Sequence, residues 1–173
     1  LESIKINKVE LDEIQDLQRI GKLTFSETFS ASNTEKDMNK YLQENFSLER
    51  ISKEWNDKNS QFYFAKEGEK ILGYLKLNFG ESQTELKDQR ALEIERIYVL
   101  KEFHGKKVGQ VLFEKALEIA EEKNVDYVWL GVWEENPRAI NFYKKNGFQE
   151  FDKHIFKLGN DEQTDLLMKL KLK

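Results

Sequence analysis

Apolar residues recur along the chain with two different periods, and each change of period marks a new element. Residues 3–9 (SIKINKV) alternate apolar and polar positions, the spacing of a half-buried strand. From Leu11 the spacing lengthens. Leu11, Ile14, Leu17 and Ile20, then Phe25 and Phe29, trace one helical face to about residue 30. Asn33 or Thr34 caps a second helix, with Thr34 and Asp37 at capping-box spacing and Met38, Tyr41 and Leu42 on one side. Ser47 begins a third, short helix through Ile51 and Trp55. The stretch 61–79 (QFYFAKEGEKILGYLKLNF) predicts two strands folded about Gly68.

Residues 81–90 carry no periodicity and are expected to form a loop before ALEIERIYV, 91–99, which is strand-like. The clearest helical stripe covers 107–123, where Val108, Val111, Leu112, Ala116, Ile119 and Ala120 line up. YVWLGVW, 127–133, is apolar on both faces, as in a strand covered on both sides. Asn136 then Pro137 opens a last helix, because a capping Asn accepts from an orphan N–H and proline at the first helical position has none to satisfy. That helix ends at Asn146-Gly147. Strands at about 148–158 and 164–172 follow, joined by a polar turn, GNDEQTD. The predicted order is β, three helices, ββ, β, α, β, α, ββ. Residues 1–173 thus form a single α/β (α+β) domain. A helical crossover makes the fourth and fifth strands parallel, and the remaining pairs are expected to be antiparallel.

Composition narrows the chemistry. The chain has no cysteine, which excludes disulfide scaffolds, zinc ribbons, thiol nucleophiles and an acetyl-cysteine relay. Its two histidines, His104 and His154, are too far apart for a helical metal pair, and no metal is expected. With 28 basic and 32 acidic residues the formal charge is −4, contrary to a nucleic-acid binder and congenial to a cationic substrate. No apolar run approaches the roughly 20 residues that span a bilayer. The opening segment, LESIKINKVELDEIQDL, is acidic and lacks the apolar stretch of a secretory signal. A cytoplasmic protein with no membrane partner is expected.

Two segments carry chemistry. HGKKVG, 104–109, joins a strand to the clearest helix; Gly105 and Gly109, Lys106 and Lys107, and the unsatisfied N–H groups of the first helical turn suit a phosphate or pyrophosphate. It is neither a Walker A loop nor a GxGxxG fingerprint. About 30 residues on, YVWLGVW runs into NPRAINFYKKNGF. Together these resemble the GNAT superfamily of acyl-CoA-dependent N-acetyltransferases. HGKKVG is similar to its Gln/Arg-x-x-Gly-x-Gly/Ala phosphate motif, and NPRAINFYKKNGF is similar to its pantetheine-side helix. LEIERIYV, WLGVWEENPRAINFYKKNGF and GNDEQTDLLM resemble the bacterial PaiA-type spermidine/spermine branch more closely. Two departures stand in the first motif: His104 replaces Gln or Arg, and Lys107 replaces a glycine, which makes a left-handed backbone costly there.

The resemblance implies the GNAT fold: a mostly antiparallel sheet of about seven strands with splayed parallel strands 4 and 5, flanked by helices. It implies direct transfer of acetyl from acetyl-CoA to a primary amine of a small polycation such as spermidine or spermine. Alternatives are a protein N-terminus, a lysine, an amino-sugar, or a CoA-binding regulatory module without turnover. Because an alkylammonium has a pKa of roughly 10, the amine must lose a proton. Glu95 ahead of Glu93 is the expected base, directly or through water; the two lie about 7 Å apart on one strand face and could instead hold the cation's second amine, or simply be solvated. Tyr143 falls at the position of the thiolate-protonating tyrosine. Backbone around Ile97, Tyr98 and Val99, where the family strand carries a bulge, is expected to contact pantetheine and the oxyanion. His104, Gly105, Lys106, Lys107, Val108, Gly109 and Gln110 form the pyrophosphate side. Asn136, Ala139, Phe142, Tyr143 and Lys145 form the pantetheine side, with Asn136 also a helix cap and Phe142 also packing. Trp133 and Tyr98 are candidates for the acceptor pocket or the core, and His154 is read as structural. The family includes monomers and dimers, so a homodimer is possible.

Overall fold

Residues 3–173 are described by a computed structural model. The elements follow in the predicted order: β1 (Lys5–Lys8), α1 (Ile14–Phe29), α2 (Glu35–Asn45), α3 (Leu48–Asn56), β2 (Ser60–Glu67), β3 (Lys70–Phe79), β4 (Ala91–Val99), α4 (Val108–Glu122), β5 (Tyr127–Trp133), α5 (Pro137–Lys145), β6 (Gln149–Leu158) and β7 (Asp161–Lys171). Their ends are set by the expected local chemistry. Thr34 and Ser47 accept from the N–H groups of Asp37 and Arg50 to cap α2 and α3, and Asn136 accepts from Ala139 N–H to cap α5.

The seven strands make one sheet in the order β1-β2-β3-β4-β5-β7-β6. Only β4 and β5 are parallel, with α4 as their crossover. The last strand is therefore inserted between β5 and β6. One expected boundary is corrected here. The polar stretch 161–164 belongs to β7, because Leu158 pairs directly with Asp161 and leaves Gly159-Asn160 as the turn. Gly159 takes the positive φ (63°) that so tight a reversal needs, and of the polar residues after it Asp161 and Glu162 are exposed whereas Gln163 is buried.

Side-chain alternation sends the core to both faces of the sheet. On one face Leu72, Leu75, Leu77, Ile94, Val128, Leu130 and Met168 pack against the α4 stripe and Tyr143 of α5. On the other, Phe62, Phe64, Tyr74 and Trp133 meet Leu17, Ile20, Phe25 and Phe29 of α1, with Met38 and Ile51 from α2 and α3. Truncating a fully buried residue such as Leu112 to alanine is expected to cost about 2–5 kcal/mol. Between these packed faces the sheet has one discontinuity. β4 and β5 pair only from Ala91/Tyr127 to Glu93/Trp129, and the strands then part.

Candidate active site

The parting of the strands coincides with an irregularity in β4. Against β3, Arg96 pairs with Lys76 and Ile94 with Leu77, so Glu95 has no partner and forms a β-bulge. The bulge thus lies at Glu95, just before the expected 97–99. An extra residue breaks the two-residue alternation, so consecutive side chains, Glu95 and Arg96, reach the same face as Lys76 and Asn78. Before the bulge β4 is buried, whereas Glu95 to Val99 are half-buried. Past Glu93 the β5-facing edge of β4 has no ladder partner, leaving the N–H groups of Ile97 and Val99 available to another group, while the backbone of Tyr98, expected to share that role, faces β3 instead.

Charge on this face is largely compensated from within. Lys76 Nζ donates to Glu95 Oε1 at 2.7 Å and to Glu54 Oε1 at 2.9 Å. Arg96 donates to Glu54 Oε1 at 3.0 Å and lies 3.2 Å from Glu95 Oε2. Burial alone would raise the Glu95 carboxyl, but Arg96, Lys76 and the Asn78 amide overcome it and bring it down to about 2. Glu93 is opposite in character. It is 3 % exposed and accepts from Asn78 Nδ2, Thr84 N–H and Thr84 Oγ1. Burial outweighs these donors, helped by the Glu95 charge, so its carboxyl is raised.

On the opposite face of the sheet, α5 carries Tyr143 into the core among Phe142 and Phe148. Its phenol is pushed up by burial and hydrogen-bonds to no described residue, so its proton is held and its donor capacity is unspent. The Tyr98 phenol is also raised, by burial and then by Tyr74, Tyr143 and, with Arg96 opposing, Asp165. Tyr98 therefore lies within electrostatic reach of both Tyr143 and Asp165.

The loop before α4 has the conformation of an anion cradle. Gly105 has φ +78°, and Lys107, the residue capping α4, has φ +66°, so the lysine does adopt the left-handed backbone despite the cost. Gly105, Lys106 and Lys107 are exposed, Val108 is buried and anchors the helix, and Gly109 and Gln110 are half-buried in its first turn. His104 points back: its ring Nε2 lies 2.8 Å from the Val99 carbonyl, tying the loop to the end of β4. Gln110 donates to Asn146 at 3.2 Å, joining α4 to the end of α5. Ala139 and Phe142 border the core, and Lys145 is exposed. Left-handed residues followed by free N–H groups at a helix start, beside an unpaired strand edge, fit a pyrophosphate with an extended arm.

Other residues of this site escape sequence reasoning. The aperiodic segment 81–90 is pinned over the sheet: the Trp129 indole donates to Gln83 at 2.7 Å, Thr84 holds Glu93, and Glu85 meets His154 Nδ1 at 2.6 Å. Gly131 is exposed in the middle of β5, although its chain neighbours are buried. A glycine inside a strand that reads apolar on both faces is the one sequence signal for it. Lys76, Glu54 and Arg96 leave none, since charges on strands and helices ordinarily face water.

Residues 22–148 match the Acetyltransferase (GNAT) family. The chain belongs to that family. It is 40% identical over 166 residues, 96% of either chain, to an uncharacterized N-acetyltransferase in the pepI 3′ region of Lactobacillus delbrueckii subsp. lactis. It is 25% identical over 154 residues, 87% of this chain and 91% of the relative, to a spermidine N(1)-acetyltransferase of Thermoplasma acidophilum. Its fold is similar to that of the PaiA N-acetyltransferase of Thermoplasma acidophilum, whose crystal structure is a complex with coenzyme A: TM-score 0.79 at 23% identity, covering 98% of this chain and 99% of that one.

In this GNAT acetyltransferase the expected residues divide into groups. Glu93, Glu95 and Tyr98 share one face of β4. His104 to Gln110 follow its end. Asn136 caps α5, which carries Ala139, Phe142, Tyr143 and Lys145 on the α4 face of the sheet. His154, expected to be structural, faces Glu85 of the 81–90 loop.

Proposed function

We propose that this enzyme transfers acetyl from acetyl-CoA to a primary amine of a small polycation, with spermidine or spermine as the best candidates, in the manner of the PaiA-type branch. One observation carries the reading: the gap between β4 and β5 has an unspent phenol, Tyr143, on one side and carboxylates on the other.

Acetyl-CoA supplies the acetyl group as a thioester. Residues 104–110 would hold its pyrophosphate through backbone N–H groups, and α5 from Asn136 to Lys145 would border its arm. Free amides of Ile97 and Val99, which point away from β3, stabilise charge on the carbonyl oxygen as the amine adds. Tyr143 gives its proton to the leaving sulfur. Glu95 is an anion at every working pH and too weak a base to strip an alkylammonium directly, so it orders the water that carries the proton away. Glu93, sealed beneath Asn78 and Thr84, sets the position of Asn78 and through it of Glu95. The polyamine assignment is supported by the distant spermidine N(1)-acetyltransferase relative and by the net charge of −4.

Thiol release from acetyl-CoA, measured across spermidine, spermine, putrescine, amino-sugars and peptides, tests it. Polyamines should give the highest kcat/KM. A higher value with a peptide N-terminus or an amino-sugar would replace the polyamine reading, and release by no amine would favour a regulatory module.

A further inference from the structure

On the acceptor side of the sheet one carboxylate is engaged neither by the proton-transfer scheme nor by an ion pair among the described residues. Asp165 of β7 stands across from Trp133 of β5 and from His154 of β6. Its carboxylate lies over Gly131: a Cβ built on that glycine would be 3.6 Å from Asp165 Oδ2. A side chain at 131 would crowd this space. With glycine there, the strand is open to solvent directly beside the gap between β4 and β5.

The charges around this opening are unequal. Glu95 and Glu54 face Lys76 and Arg96, two anions against two cations. Glu85 faces His154. Asp165 is half-buried and has no hydrogen bond or ion pair to any described residue. Burial, with Glu85 adding to it and His154 opposing, raises its carboxyl to about 6. Two phenols locate it relative to the reaction. Tyr98 of β4 and Tyr41 of α2 both pack on the apolar cluster that includes Trp133, the residue paired with Asp165 across the sheet. Holding an unpaired carboxylate in such a place costs stability unless an arriving cation compensates it.

We propose that Asp165 is a specificity-determining residue that anchors the non-reacting ammonium of the acceptor. The choice of nitrogen follows from chemistry. An anion in contact with an ammonium stabilises its charged form, which cannot attack a thioester, so the anchored nitrogen is the one that stays protonated. The substrate is thereby required to carry two cationic centres, and an acceptor with a carboxylate in place of the second amine is repelled.

The inference rests on the polyamine reading above, and its test separates the two. Wild type and Asp165→Asn are compared with spermidine, putrescine and butylamine, the last having the four-carbon chain of putrescine and a single nitrogen. Wild type should prefer putrescine to butylamine by roughly 10- to 100-fold, the scale of losing one buried charged contact, and the variant should lose that preference through the two-nitrogen substrates alone. Spermidine binding, followed by calorimetry without turnover, should weaken by a similar factor. The Tm of the variant at neutral pH should be unchanged or higher, since an uncompensated anion has been removed; a lower Tm together with a general loss of activity would mean that Asp165 is structural and overturn the proposal. Equal losses on putrescine and butylamine would place Asp165 at the reacting nitrogen and overturn it. An unaltered preference would overturn it as well, with the polyamine reading intact. If wild type acetylates none of the three amines, the polyamine reading fails and this inference fails with it.

Discussion

Tyr143 and Glu95 show how one chain gives two ionisable residues opposite properties. Tyr143 is 7 % exposed and surrounded by rings, so its proton is retained until negative charge develops nearby. Tyr143→Phe keeps the packing and removes the donor. It should lower kcat by roughly 10- to 100-fold while the KM for acetyl-CoA changes less than threefold, as for loss of an interaction made in the transition state; an unchanged kcat would remove the general-acid role. Glu95 is held ionised by two cations. Its folded-state pKa, about 2, lies below the ordinary value of 4.5, so its stabilisation is present above pH 4.5 and is lost as pH falls toward 2. With the carboxylate partly open to solvent, the contribution is about 2–3 kcal/mol. Urea unfolding of wild type and Glu95→Gln should differ by at least this at pH 7, because Lys76 and Arg96 are left with Glu54 alone, and the difference should narrow between pH 4.5 and 2. The same low pKa means that Glu95 contributes no inflection to the rate profile between pH 5 and 9.

At the scale of elements, the start of α4 and the bulge of β4 are two local departures from regular backbone, and both face the gap. Lys107 holds a left-handed backbone that costs an L-residue roughly 1–2 kcal/mol. Glycine removes that strain but gives back part of the gain through the freer unfolded chain. Lys107→Gly should therefore be neutral or stabilising by up to about 1 kcal/mol, and Lys107→Val should destabilise by more than 1 kcal/mol, both read from denaturant midpoints. Destabilisation by glycine would show that the lysine side chain, not its backbone, secures the cap. The loop 81–90 is an element in its own right. Gln83, Thr84 and Glu85 are held by partners on β5, β4 and β6, which no local pattern could announce.

The whole molecule has a net charge of −4, yet its surface is divided by function. The exposed Lys106 and Lys107 stand at the helix start suited to an anion, and unpaired Asp165 stands at the open side of the sheet. Long-range attraction between the acidic chain and a polycation is screened over about 30 Å at 0.01 M salt and 3 Å at 1 M. The kcat/KM for spermidine should accordingly fall several-fold as ionic strength rises from 0.01 to 0.5 M, while that for butylamine changes little. A flat response for both would argue that charge complementarity is confined to direct contact. No helix among the described residues is long and apolar enough to cross a membrane.

Much of this protein was legible without coordinates. Element types and order, the capping residues, the parallel crossover and the turn before α4 follow from period and local chemistry, since each depends on residues within a few positions of one another; Tyr143 was singled out by the resemblance of its segment to the family motif. The sequence also contained Glu93 and Glu95 as a pair, but not their difference, which comes from Lys76, Arg96 and Thr84 arriving from other strands and a loop. The place of the bulge, the insertion of β7 beside β5, the seat of Asp165 over Gly131 and the pairing of His154 with Glu85 were decided by the tertiary structure alone. Each is a meeting of residues distant in the chain, and burial and charge at such meetings depend on what the fold brings near rather than on what the sequence places adjacent.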